Sequence, residues 1–316
     1  MALSSEHILT LQQLSGIGTK TIFKVAEQVK KPIHTIEGLC AFWKTIKGKK
    51  LEAIGVDDIV EANNSAKRII EASARASIGL VGYYDDSFPN ILRHAINEDG
   101  KLAPPLLLWY RGDLSIASLP GIAVIGTREA TPEGIAGGTY LSGEFAKRGF
   151  NIVSGLAIGC DTCGHKGALK VGGKTTAFLA NGLDHDSIYP EENRELAEEI
   201  VAKGGLLLSE YPIRQSVNRY SLVARDRLQA ALSLATLVIQ TGVKGGTMHA
   251  ANTTLKAGKP LYAVKFKDEA TNLQEKCLGN AYLVKQGAKY IGGSDNLDEV
   301  SECIRNSKLL QISLFD

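Results

Sequence analysis

The residues best suited to chemistry in this chain are cations set beside glycine-rich turns. Gly126-Thr127-Arg128 closes a short apolar run that begins at Gly121. A second glycine-spaced stretch runs from Gly155 through Gly159 to Asp161. A third is Lys244-Gly245-Gly246-Thr247, and Arg225 and Arg227 lie in the segment before it. Glycines let backbone N–H groups approach a ligand closely, and a helix N-terminus attracts anions. Arginine's planar fork matches phosphate oxygens better than a point charge does. The pattern therefore predicts a phosphate-binding face built from Gly126, Thr127, Arg128, Gly155, Gly159, Arg225, Arg227, Lys244, Gly245, Gly246 and Thr247. For Arg225 and Arg227 the competing expectation is pairing with Asp226, Glu210 or other acids of the same rim. None of these turns reads G-x-G-x-x-G, and Arg128 stands where a dinucleotide fold usually packs glycine. The expected ligand is a phosphate backbone rather than NAD, and no cofactor is expected.

Cys160-Asp-Thr-Cys163-Gly-His165 has the look of a half zinc site. A closed site needs a fourth ligand, usually from a second pair, and Cys277 and Cys303 stand far off in sequence, so no metal is expected. Asp161 and His165 lie four apart and share a helix face if Asp161 begins the helix. Capping and a local Asp–His contact are expected there, in preference to general acid–base catalysis.

These residues need a frame to converge on. Short apolar, β-branched runs at 121–125, 151–155, 175–179, 206–210, 235–240 and 261–265 are bounded by glycine and polar turns and read as buried strands. Helical patterns fall between them. One opens at Thr131-Pro132, with Thr131 as cap and Pro132 where a missing N–H does no harm. Others end at Ala202 and cover 223–234 and 246–257. The 106–110 run follows Pro104-Pro105 and is expected as an edge strand. Strands alternating with helices specify an α/β, Rossmann-like, doubly wound parallel sheet, whose ligand lies at the carboxyl ends of the strands.

Residues 1–78 are helical in pattern. Leu14-Ser-Gly16-Ile-Gly18-Thr-Lys20 resembles a helix-hairpin-helix, in which Gly16 and Gly18 would turn the chain and present N–H groups to a DNA phosphate, with Lys20 beside them. A plain joint between two helices is the alternative. The expected organisation is a helical domain over 1–78, the Rossmann-like domain over 79–308, and a peptide tail over 309–316. In that tail Gln311, Ser313, Leu314 and Phe315 have the spacing of a short extended peptide that drops apolar side chains into a partner's groove.

Composition narrows the class. Over 316 residues, 44% hydrophobic and 22% charged content fit an ordinary globular protein, and a net charge of +2 means that any nucleic-acid site is a local patch. The five cysteines accompany no basic-then-apolar leader, and no apolar run reaches the roughly 18 residues of a membrane helix. A cytoplasmic protein with reduced thiols and no membrane partner is expected.

The motifs together resemble the DNA-processing protein A (DprA, also called Smf) family. The blocks that match are Phe88-Pro-Asn-Ile-Leu92, Pro104-Pro105, Val124-Ile-Gly126-Thr-Arg128 with Thr131 and Gly134, and Ser154-Gly-Leu-Ala-Ile-Gly-Cys-Asp161 with His165. Gly182-Leu-Asp184, Tyr189-Pro190, Asn193, Leu208-Ser-Glu210-Tyr-Pro212, Arg225-Asp-Arg227, Asn280, Leu283 and Gly287-Ala288 follow in order. The resemblance implies a homodimeric protein that binds single-stranded DNA and hands it to the RecA recombinase in natural transformation. It places the strand along Arg128, Arg225 and Arg227. The chain departs from the family in three places. Leu222-Val223 stands for Phe-Pro, which would remove an aromatic stacking platform. Asp226 replaces a neutral asparagine, and Gly245-Gly246-Thr247 replaces S-G-S. These changes imply weaker or altered DNA binding. The tail resembles the pentapeptide by which bacterial proteins bind the β sliding clamp. The alternative is a divergent Rossmann-like nucleotide binder, either a nucleotide-signal sensor or a nucleoside-monophosphate phosphoribohydrolase. Lys244 to Asn252 keeps part of the latter's loop without its glutamate, so no enzymatic activity is expected.

Overall fold

The computed structural model describes residues 3–312; Ser313, Leu314 and Phe315 of the tail lie outside the described residues, as does the side chain of Gln311. Five helices come first: α1 (Ser5–Gln13), α2 (Thr19–Ala26), α3 (Ile36–Trp43), α4 (Lys49–Glu52) and α5 (Val56–Arg75). Strands β1 (Gly79–Gly82), β2 (Leu107–Gly112) and β3 (Gly121–Ile125) follow. Then α6 (Pro132–Lys147), β4 (Asn151–Ser154), α7 (Cys160–Lys170), β5 (Thr175–Leu179), α8 (Arg194–Ala202) and β6 (Leu206–Ser209) alternate. The chain continues through α9 (Arg219–Leu232), β7 (Ala235–Val238), α10 (Gly246–Lys256), β8 (Leu261–Val264), α11 (Glu269–Asn272), α12 (Leu278–Lys285), β9 (Lys289–Ile291) and α13 (Leu297–Ile312).

The nine strands form one sheet in the order β1-β2-β6-β5-β4-β3-β7-β8-β9. From β6 to β9 all neighbours pair in parallel, and every residue of β3, β4, β5, β6, β7 and β8 is buried. A strand covered on both faces by helices needs apolar residues at successive positions, which is why these runs are continuous rather than alternating. Successive strands step outward from β3 through β4 to β6, then resume on its other side at β7. That reversal leaves a crevice beyond the carboxyl ends of β3 and β7.

Several expectations are corrected at this level. The 106–110 run is internal, because β1 pairs antiparallel to β2 and β2 antiparallel to β6. β1 sits close because Gly79 has no side chain: a Cβ there would lie 2.3 Å from the Tyr110 ring. A ninth strand, only three residues long and exposed at two of them, follows 261–264. Helix α9 opens four residues earlier than its pattern suggests, at Arg219, where the Asn218 side chain accepts from the Ser221 N–H at 2.9 Å and the Ser221 hydroxyl accepts from Asn218 N–H.

The N-terminal helices do not stand apart. Leu3, Ile8, Leu11, Ile22, Trp43 and Ile59 belong to the same buried cluster as Trp109, Leu156, Leu179 and Leu207 of the sheet region. Ser5 also donates to the Asp85 carboxylate across the junction. Gly16, with φ of 77°, turns the chain between α1 and α2, and Gly18 precedes α2 without a side-chain cap. Lys20 is exposed on the first turn of α2.

Candidate nucleic-acid interface

The crevice at the switch point is an open groove of about 600 Å³. The loop after β3 supplies Gly126, Thr127 and Arg128, the start of α9 supplies Arg219, Leu222, Val223 and Asp226, and the loop into α10 supplies Lys244, Gly245, Gly246 and Thr247. Seven of the predicted residues thus line one cavity, and Arg225, the eighth, lies at its base. Gly155, Gly159 and Arg227 do not line it, nor do Gly16, Gly18 and Lys20.

Among the described residues three cations on this groove are exposed and have no ion-pair or hydrogen-bond partner: Arg128, Arg219 and Lys244. The acid next to Arg128 is occupied elsewhere, since Glu129 meets Lys276 at 2.9 Å. Arg128 also borders a second depression, of about 540 Å³, with Ile158 and Tyr189. Tyr220, next to Arg219, is 86% exposed.

The helix ends around the groove differ in one respect that matters for anions. α9 is capped by its own Asn218. The first turn of α7 is also satisfied, with Cys160 N–H on Thr127 O at 3.1 Å and Thr162 N–H on Ala157 O at 3.2 Å. α10 begins at Gly245-Gly246 with no side-chain cap, and open space surrounds both glycines. Gly245 has φ of 132°, which only glycine adopts without strain. The first N–H groups of α10 therefore face the groove beside Lys244, where an anion is favoured.

Four of the predicted phosphate ligands have other duties. The Gly155 loop already holds an anion of its own: the Asp161 carboxylate accepts from Gly155 N–H at 3.1 Å and Ala157 N–H at 3.2 Å. Asp161 is buried, and burial pushes its carboxyl up against the opposing pull of Arg225 and these amides. Gly155 is required by packing, because a Cβ there would lie 1.3 Å from Arg225 Nη1. Gly159, at φ of 80°, lets α7 close on the Thr127 and Arg128 carbonyls, 2.5 Å from where a Cβ would be. It positions the Arg128 loop and leaves no room for a ligand.

Arg225 is only 7% exposed. Its Nη1 donates to Phe178 O at 3.2 Å, its Nε lies 3.3 Å from Asp226 Oδ1, and the Gln229 amide oxygen, turned toward it, accepts from Nε at 3.1 Å. Arg227 points away from the groove. Its two terminal nitrogens form a fork on Glu210 at 2.7 Å each, and its Nε donates to Ala103 O at 3.0 Å. Both arginines are consumed by structure, as the competing expectation held. Asp226 lies between them in sequence but faces the groove; burial holds its carboxyl up at about 6, against Arg225.

The Asp161–His165 contact is likewise replaced. His165 meets the Thr175 hydroxyl at 2.7 Å, and burial drives its pKa down to about 3. Cys160 and Cys163 are buried thiols pushed upward by the same cause, and no cluster able to hold a metal exists among the described residues.

The profile of the DNA recombination-mediator protein A family matches residues 79–304. The chain is 37% identical to protein Smf of Synechocystis over 199 residues, which is 62% of this chain and 48% of that protein. It is 33% identical to DNA processing protein DprA of Bacillus subtilis over 233 residues, 73% of this chain and 74% of that one. The chain thus spans about half the length of the first of these relatives and about three quarters of the second. Among solved structures, DNA processing protein A of Streptococcus pneumoniae superposes with a TM-score of 0.73 at 24% identity, covering 95% of this chain and 99% of that one. DNA processing protein A of Helicobacter pylori, whose single-stranded DNA binding mode has been described, superposes with a TM-score of 0.59 at 29% identity over 72% of this chain and 96% of that one.

Proposed function

This chain belongs to the DNA recombination-mediator protein A family, and from that premise we propose that it binds single-stranded DNA through the switch-point groove. The observation that carries the reading is the set of three unpaired cations, Arg128, Arg219 and Lys244, beside the uncapped start of α10. Such an arrangement suits a string of phosphates. The role is binding rather than catalysis.

A test follows from counterion release. Each phosphate neutralised on a single strand contributes about −0.7 to the slope of log affinity against log salt, so three contacts give a slope of about −2. Fluorescence anisotropy with a labelled mixed-sequence oligonucleotide should show that slope and little affinity for duplex. Arg128→Ala should lower the slope by roughly 0.7 and weaken binding about tenfold. An affinity indifferent to both salt and Arg128 would refute the assignment.

The family also supports transfer of the bound strand to RecA by a cytoplasmic homodimer. Leu278 and Tyr282, one turn apart on α12, are 41% and 42% exposed. No helix among the described residues is long and apolar enough to cross a membrane. The tail from Gln311 to Phe315 supplies the proposed contact with the β sliding clamp. Pull-down with the clamp and with RecA checks both partners: clamp capture should disappear when residues 311–316 are deleted, while RecA capture and a dimeric mass in solution should persist. Clamp capture that survives the deletion removes the tail from the account.

A further inference from the structure

The groove is polarised, with cations on its rim and carboxylates in its floor. Arg225 is the single cation beneath, shared between Asp226, 3.3 Å away, and Asp161. The nearest other titratable pair, His249 and Glu98, is closed on itself at 2.8 Å. An ionised Asp226 repels phosphate, so a strand held by Arg128, Arg219 and Lys244 has its backbone on the rim and its bases toward the floor. The cavity, at about 600 Å³, falls within the roughly 300–1,000 Å³ of clefts that enclose small molecules. Arg225 Nε approaches Asp226 Oδ1 at 3.3 Å, and among the described residues no group donates a hydrogen bond to Oδ2.

We propose that Asp226 reads the edge of a base turned into this groove, favouring bases with an exocyclic amine over thymine. The inference rests on the single-strand reading above and deepens it. A carboxylate accepts hydrogen bonds and cannot donate them, so it pairs with the N4 amine of cytosine or the N6 amine of adenine. Thymine presents the O4 acceptor at the corresponding position, which sets lone pairs against lone pairs. An asparagine, which can turn either its oxygen or its amine to the base, has no such bias.

The experiment compares oligo(dC), oligo(dA) and oligo(dT) of equal length by anisotropy, with wild type and Asp226→Asn, each across a salt series. The decisive pair is dC against dT, since both pyrimidines stack weakly. Wild type should prefer oligo(dC) by about tenfold, the scale of one good base-edge contact, and Asp226→Asn should bring the two within about twofold. Asp226→Ser, which removes the carboxylate without introducing an amide, should do the same, and thermal melts establish that both variants are folded. Equal affinity of wild type for dC and dT overturns the inference. So does a variant that gains equally on all three oligonucleotides, because Asp226 then acts only by repelling phosphate. If wild type binds none of them in a salt-dependent way, the single-strand reading itself fails, a result distinct from salt-dependent binding without base preference.

Discussion

Arg225→Ala is expected to lower the melting temperature by roughly 8 °C while leaving the salt slope of DNA binding unchanged in the molecules that remain folded. The guanidinium is 7% exposed and stands between the buried carboxylate of Asp161 and the partly buried one of Asp226, with Phe178 O and Gln229 completing its contacts. Removing one member of a buried ion pair leaves uncompensated charge in the interior, at about 3–5 kcal/mol. For a chain of this size about 1 kcal/mol moves the midpoint by roughly 2 °C. The deficit should also depend on pH, and its sign follows from Asp226. Its folded pKa, about 6, is raised above the unfolded value of about 3.9. A raised acid favours folding fully below the unfolded value, and that favour is lost as pH rises through the folded one. Without Arg225 both carboxylates become harder still to ionise. The variant should therefore be closest to wild type near pH 5 and furthest from it above pH 7. A melt in which Arg225→Ala matches wild type at pH 8, with a reduced salt slope, would return Arg225 to the phosphate ligands.

The sheet was legible in the sequence because parallel strands buried on both faces leave a plain trace, apolar at every position and stopped by glycine. Strands 121–125 and 175–179 were read to the residue. What escaped was short or exposed: β9 has three residues, two of them on the surface. The groove was half legible. Loops at the ends of adjacent parallel strands must converge, so Arg128 and Lys244 could be assigned to one rim from order alone. The roles of Arg225 and Arg227 could not both follow from the motif, because residues two apart on a helix do not share a face. The helical period does pick out Arg219, Leu222, Val223 and Asp226, at spacings of three, four and seven, and these four line the groove together with Arg225 and Gln229. Arg219 was missed because the apolar pattern of α9 starts at Val223, while the turn that begins the helix is polar and fixed by Asn218. The Gly155 loop misled for another reason. Its amides are arranged to hold an anion, and the anion is Asp161 from the same chain. Sequence shows that such a loop can bind a negative group without showing that a side chain six residues on already does.

Replacing Arg128, Arg219 and Lys244 together by alanine is the converse experiment, and it should cost between roughly 100- and 2,000-fold in affinity for single-stranded DNA. Each cation, if it meets a phosphate, is worth about 1–1.5 kcal/mol net for an exposed, charge-assisted contact, and the three come from separate elements whose contributions should nearly add. The salt slope should fall from about −2 toward zero, since no neutralised phosphate would remain to release counterions. The N–H groups at the start of α10 would be left, and they act over a single turn of helix with about half a charge; they account for a residual affinity without a steep salt response. Stability should be unaffected within about 0.5 kcal/mol, because none of the three side chains makes an ion pair or hydrogen bond among the described residues. The two experiments separate the two populations of arginine in this motif. If the surface triple mutant lost stability while keeping its affinity for DNA, and Arg225→Ala bound nothing while melting like wild type, the division drawn between the groove's rim and its floor would have to be reversed.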